Sequence, residues 1–187
     1  MKTVRLNIGG KKLYIKVFAA DKWFVFNRNC YINNWNNVVT NKDTVYILGD
    51  FCWRKDDEWD RALSLLHGQK VLIRGNHDLK NMPGNIRKYF LDVKEYKEIS
   101  DHGRKVILCH YPIPFYKGDY NENTYMLYGH LHTTAEEALM REIKKLIREK
   151  DDRGESSNKC NFYNCWLGFY EYKPVTLDEI IKRWENM

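Results

Sequence analysis

The stretch Lys70-Val71-Leu72-Ile73-Arg74-Gly75-Asn76-His77-Asp78 decides how the rest of the chain is read. Its apolar run is short and rich in branched residues, the pattern of a strand buried on both faces. A glycine stops it, and an amide, an imidazole and a carboxylate follow at once. Three other stretches share this form: TVYILGD from Thr44 to Asp50, KVILCHYP carrying His110, and YMLYGHLH carrying His130 and His132. In open α/β sheets, ligands gather outside the carboxyl ends of such strands. The chain is therefore expected to deliver oxygen and nitrogen donors to one edge, the composition of a divalent-cation site.

Outward from these strands, helix and strand alternate. Tyr31, Trp35, Val38 and Val39 recur at helical spacing, as do Trp59, Ala62, Leu63 and Leu66, so helices are expected before the strands at Thr44 and Lys70. Thr3 to Ile8 and Leu13 to Phe18 around Gly9-Gly10 read as a hairpin whose second arm runs into Asp21. In the second half, Val93 to Ile99 and Lys105 to Leu108 flank the turn signal Ser100-Asp101-His102-Gly103, which predicts antiparallel pairing and a second sheet. Residues 133 to 158 carry a narrow apolar stripe, Leu139, Ile143, Leu146 and Ile147, on a charged helix that runs into DDRGESSN. That segment is read as a charged helical insertion, either a solvated surface helix or a lid or subunit contact. Thr176 and Glu179 make a capping box for a last helix with Leu177, Ile180, Ile181 and Trp184 on one face.

The chain has 187 residues and no Gly/Ser- or Pro-rich linker, so residues 1–187 are read as a single domain. Its start is too polar for a secretory signal, and no apolar stretch approaches the roughly 20 residues that cross a bilayer. The five cysteines are odd in number, and Cys160 and Cys165 fall on opposite faces of a strand. Reduced thiols and a cytoplasmic location are expected. A formal charge of +6 favours phosphate-bearing molecules, yet Lys and Arg are not interleaved with aromatics as in a nucleic-acid groove. His67, beside a helix-ending Gly68, and His102, in a turn, are read as structural, as is Cys52 just beyond Asp50.

Taken together, Asp21, Gly49-Asp50, Gly75-Asn76-His77-Asp78, His110 and Gly129-His130-Leu131-His132 resemble the calcineurin-like metallophosphoesterase superfamily in order and residue type. NWNNVVTNKDTVYILGDF, IRGNHD, HYP and YKPVTLDEI are similar to its small bacterial and phage members. The resemblance implies an α/β fold with two sheets in a sandwich flanked by helices, a four-layer α/β/β/α arrangement. It also implies a phosphodiesterase or phosphatase in which a metal-activated hydroxide attacks phosphorus in line. By the same resemblance Asp50 bridges two cations, Asn76, His110 and His130 complete one shell, and Asp21 and His132 belong to the other. Mn²⁺ leads the candidates, with Zn²⁺, Fe²⁺, Co²⁺ and Ni²⁺ behind it. His77 is expected to face the substrate as acid or transition-state stabiliser, and Asp78 either orients it or caps a helix.

One position departs from the pattern. The superfamily opens with Asp-x-His, whereas this chain has Asp21-Lys22-Trp23. Indole has no in-plane lone pair for a metal, so the Asp21/His132 shell is expected to bind more weakly. Two readings follow: a phosphoester hydrolase with a half-weakened dinuclear centre, its substrate a nucleotide or another phosphoester, or a degenerate member acting as a nucleotide-binding or protein-interaction module.

Overall fold

A computed structural model describes residues 7–8, 11–16, 24–52, 56–149 and 159–186. Asp21, Trp23 and the DDRGESSN segment lie outside the described residues. The first sheet has five strands in the order β1 (Asn7–Ile8), β2 (Lys11–Lys16), β3 (Thr44–Ile47), β4 (Gln69–Ile73) and β5 (Phe90–Lys94). β1 and β2 form the expected hairpin in antiparallel register, and β2 to β5 run parallel. The second sheet has four strands in the order β6 (Tyr96–Asp101), β7 (Arg104–Cys109), β8 (Thr124–Tyr128) and β9 (Phe162–Asn164). Only β6 and β7 are antiparallel.

Helix α1 (Phe24–Asn36) precedes β3, α2 (Asp56–Leu65) precedes β4, and the short α3 (Gly84–Arg87) precedes β5. Their apolar faces, with Tyr31, Trp35, Trp59, Ala62 and Leu63, pack with Val45, Ile47 and Leu72 on the outer side of the first sheet. Val38 and Val39 continue that face, although the helix has already ended at Asn36. The opposite face of the same strands, through Val71, Ile73 and neighbouring Leu48, meets Val106, Leu108 and Leu127 of the second sheet. Leu177 and Ile180 of α5 (Leu177–Glu185) join that inner core, and the Thr176/Glu179 capping box closes in both directions. On the far side, Ile107, Met126, Tyr128 and Phe162 pack under Met140 of α4 (Ala135–Arg148). The order of layers is helix, sheet, sheet, helix, the α/β/β/α sandwich that the resemblance implies. Cys160 and Cys165 are buried in different layers of this core, and no disulfide joins the cysteines.

Two sequence expectations change. Val93 to Ile99 is not one strand: β5 ends at Lys94 in the first sheet and β6 starts at Tyr96 in the second. A single bend at Glu95 carries the chain between layers, as strands at sandwich corners do. The turn that follows is the expected one, with Asp101 paired to Arg104 across His102 and Gly103, both left-handed (φ 47° and 81°).

The charged helix also departs from its expected apolar stripe. α4 covers the outer face of the second sheet, through Met140, Ile143 and Ile147 together with a buried Glu137. Leu139 and Leu146 of the expected stripe stay exposed. The burial line is rotated because Glu137 finds partners inside: the Tyr128 hydroxyl at 2.9 Å and Asn164 Nδ2 at 2.8 Å. A carboxylate so satisfied occupies a position that apolar periodicity reserves for leucine. Among the described residues no helix is long and apolar enough to cross a membrane.

Away from the loops that carry His110 and Asp50, Lys70 at the start of β4 is 5% exposed, and its ammonium donates to the carbonyls of Leu66 (2.7 Å) and Gly68 (2.8 Å). Burial lowers its pKa to about 8. The unfolded chain then binds more protons between about pH 8 and the ordinary lysine value near 10.4, so this group makes stability rise with pH across that window. In paired denaturant titrations at pH 7.5 and 10.5, wild type is expected to gain on the order of 2 kcal/mol over Lys70→Met. Parallel pH curves for the two proteins would refute this.

Candidate metal centre

The sandwich places four strand ends around one point, two from each sheet. The loop after β3 supplies Asp50, that after β4 supplies Asn76, His77 and Asp78, that after β7 supplies His110, and that after β8 supplies His130 and His132. Convergence requires close backbone approach. Gly49 adopts φ 88°, and a Cβ there would overlap the His110 ring and the Gly75 backbone. A Cβ on Gly75 would in turn overlap the Asp50 carboxylate. Asp50 itself is left-handed (φ 53°) and 3% exposed.

His110 is the pivot of the cluster. Its Nδ1 lies 2.8 Å from the Leu48 carbonyl, which assigns the proton to that nitrogen and leaves a lone pair on Nε2. Nε2 lies 2.9 Å from His130 Nδ1, 3.0 Å from Asn76 Oδ1 and 3.4 Å from Asp50 Oδ2. Burial lowers the His110 pKa, with the Leu48 carbonyl and Asp50 pulling the other way, and so favours the neutral ring that a metal needs. Potential ligand atoms of Asp50, His110 and His130 all lie within 4.8 Å of one another. The His110 Nε2 lone pair thus faces the oxygens of Asp50 and Asn76, an arrangement that a cation among them would stabilise. The donor set of Asp50, His110 and His130 therefore fits a divalent ion of mixed oxygen and nitrogen preference.

The other expected residues fall into distinct places. The His77 amide donates to Asp50 Oδ1 at 2.9 Å, fixing one carboxylate oxygen while the other faces His110. Asp78 is 5% exposed and accepts the amides of Asp50 (2.9 Å), Phe51 (2.8 Å) and Gly75 (2.8 Å). It thus clamps the two loops from β3 and β4 together. Burial pushes the Asp78 carboxyl up to about 7 against these three amides, with the Asp50 charge adding to the rise. His132 is left-handed (φ 48°), and its ring stacks on Trp166 at 5.7 Å with planes 17° apart. His67 contacts the Val39 carbonyl through its ring, and His102 occupies the hairpin turn, both away from the cluster. Arg74 reaches the Lys80 carbonyl and Glu95.

Sequence reasoning missed the scaffold behind His132. Asn164, fully buried at the end of β9, donates to the His132 carbonyl (2.9 Å) and to Glu137, and accepts the Trp166 amide (2.9 Å). Gly168 completes it, since any Cβ there would overlap the Trp166 ring. The one legible signal was a polar residue closing the short apolar run Phe162-Tyr163. Asn164→Ala is expected to destabilise the fold by about 2–3 kcal/mol by orphaning the His132 carbonyl and Glu137. It should also move the His132 ring-proton resonances, which feel the Trp166 stack, far more than those of His67; equal small shifts would exclude this role.

Beside the cluster, the half-exposed Tyr111 ring lies 4.6 Å from that of His130 and 5.0 Å from that of His110. The donor geometry agrees with the comparisons. The model for calcineurin-like phosphoesterases matches residues 22–180. An uncharacterized protein of Methanocaldococcus jannaschii is 31% identical over 153 residues, 81% of this chain and 71% of that protein. The crystal structure of a protein of unknown function from Aquifex aeolicus superposes with a TM-score of 0.60 at 26% identity, covering 91% of this chain and 97% of that one. The match supports a metal-dependent phosphoesterase in general terms. With the described strands ending around a shared donor cluster and the family pattern running through nearly the whole sequence, this chain belongs to the calcineurin-like phosphoesterase family.

Proposed function

We propose that this chain is a divalent-cation-dependent phosphoester hydrolase acting on a phosphodiester or phosphomonoester, a nucleotide among the candidates, in the cytoplasm. One observation carries the reading: His110 Nε2, His130 Nδ1, Asn76 Oδ1 and Asp50 Oδ2 face one another at 2.9 to 3.4 Å about His110. Bound there, Mn²⁺ or a related cation would supply Lewis acidity toward the phosphoryl oxygens and a more acidic water. The residues of the chain do the rest. Asp50 and Asn76 set negative and polar oxygens against the imidazoles, Leu48 holds the His110 tautomer, and the His77 amide keeps the Asp50 carboxylate in one rotamer. His77 stands next to this carboxylate in the chain that follows β4, and its ring is assigned to the substrate as proton donor to the leaving oxygen. Tyr111 offers an apolar wall for the ester group.

Trp23 in the Asp-x-His position favours a second reading, in which the Asp21/His132 shell stays empty and the chain binds ligands without turnover. Metal content after purification without added cations, followed by hydrolysis of bis(p-nitrophenyl) phosphate with Mn²⁺ or with chelator, separates the two. The hydrolase reading expects at least one bound ion per chain and Mn²⁺-dependent turnover that Trp23→His raises by roughly 10-fold or more. A metal-free protein with no turnover, active only as Trp23→His, would establish the second reading.

A further inference from the structure

The strand β9 is the edge of the second sheet, and its free side faces a groove between α4 and α5. Side chains cover the exposed edge: the Lys144 ammonium donates to the Phe162 carbonyl (2.9 Å) and the Trp184 indole to the Asn164 carbonyl (3.1 Å). The groove they leave encloses about 560 Å³, within the range of small-molecule sites. Its α4 wall presents Arg141, Lys144, Lys145 and Arg148, and Phe162 and Trp184 supply aromatic surface. None of Asp50, Asn76, His77, His110 or His130 lines it.

A charged helix face is ordinarily solvated, but this one is not arranged for water alone. Positions 141 and 145, and 144 and 148, place like charges four residues apart, which disfavours the helix by a few tenths of a kcal/mol each. Glu137, the buried acid on the same wall, is already engaged by Tyr128, Asn164 and Arg141 (3.4 Å). Glu149 is the other acid, so among the described lining residues cations outnumber anions by four to two. Lys144 is half-buried, with its ammonium 3.8 Å from the Tyr163 ring centre and no carboxylate within salt-bridge distance among the described residues. Burial and the Arg148 charge lower its pKa to about 7. An anion in the groove would relieve that cationic excess, and the rings would hold an apolar planar body.

We propose that this groove is a second ligand site, distinct from the metal cluster, for a small organic anion made of an aromatic ring bearing a phosphate or carboxylate group. The site does not depend on the hydrolase reading. Calorimetric titration of the full chain in EDTA, which silences the cation centre, tests it with four probes: AMP, indole-3-acetate, adenosine and inorganic phosphate. AMP or indole-3-acetate is expected to bind one site below about 1 mM and at least tenfold more tightly than adenosine or phosphate; the tighter of the two identifies the anionic group. Lys145→Gln/Arg148→Gln, both exposed positions, should weaken that binding by about tenfold or more, whereas His110→Asn should leave it unchanged. Thermal melts verify folding, and Lys145→Glu alone substitutes should the double variant unfold. Failure of both ring anions to bind below about 1 mM overturns the proposal. So does binding that survives the groove substitutions or disappears with His110→Asn.

Discussion

Asp50→Asn is expected to lower Mn²⁺ affinity by about 10- to 100-fold or more and to reduce Mn²⁺-dependent phosphodiester hydrolysis by at least about 100-fold. The substitution isolates charge. Asparagine tolerates the left-handed backbone at this position (φ 53°) and keeps an oxygen to accept the His77 amide. What disappears is the anionic oxygen 3.4 Å from His110 Nε2, the one carboxylate among the clustered donors of Asp50, His110 and His130. Removing that charge also eases repulsion on buried Asp78, whose rise in pKa comes partly from Asp50. The fold is therefore expected to be no less stable while the cation is lost. Calorimetric Mn²⁺ titration and turnover of the aryl diester measure the two effects. Wild-type affinity and rate in Asp50→Asn would remove the carboxylate from the centre and with it the proposed chemistry.

The largest stability effect is expected at the other end of β7. Arg104 bridges Asp101 of the hairpin turn and Asp178 of α5, with both contacts at 2.5 Å. The Asp101 side chain is fully buried, and its Oδ1 has no hydrogen-bond partner among the described residues. Arg104→Ala leaves this carboxylate buried without its cation and cuts the tie between β7 and α5, at an expected loss of about 3–5 kcal/mol. For a chain of this size that lowers Tm by roughly 10 °C. Adding Asp101→Asn should restore part of the loss, because the pair rather than either residue carries the energy. Additive losses in the double-mutant cycle would contradict the coupling. Turnover at the permissive temperature should not change, since the turn lies the length of β7, roughly 20 Å, from His110.

Much of this was legible along the chain. Branched apolar runs ended by Gly49-Asp50, Gly75-Asn76-His77-Asp78, His110 and Gly129-His130 marked strands with donors at their carboxyl ends. The helical faces of Trp59, Ala62 and Leu63 and of Leu177 and Ile180, and the Thr176 capping box, were equally direct because their signals are local. The reading erred where a partner far away in sequence decided the outcome. Glu137 is buried because Tyr128 and Asn164 receive it, which turns α4 so that Leu139 and Leu146 face outward. Asp78 holds backbone amides from the adjoining loop 27 and 28 residues earlier, a use no spacing rule announces.

Periodicity and punctuation depend on neighbours a few residues apart, so the chain itself determined its strands, most of its helices and the kinds of donor at their ends. It could not say that β5 and β6 part at Glu95 into separate sheets, so that each sheet contributes two strand ends to one cluster. Nor could it assign Asn164 and Trp166 to hold His132, or form a basic groove over the edge of β9. These depend on contacts between residues remote in sequence, which exist only once the layers have packed.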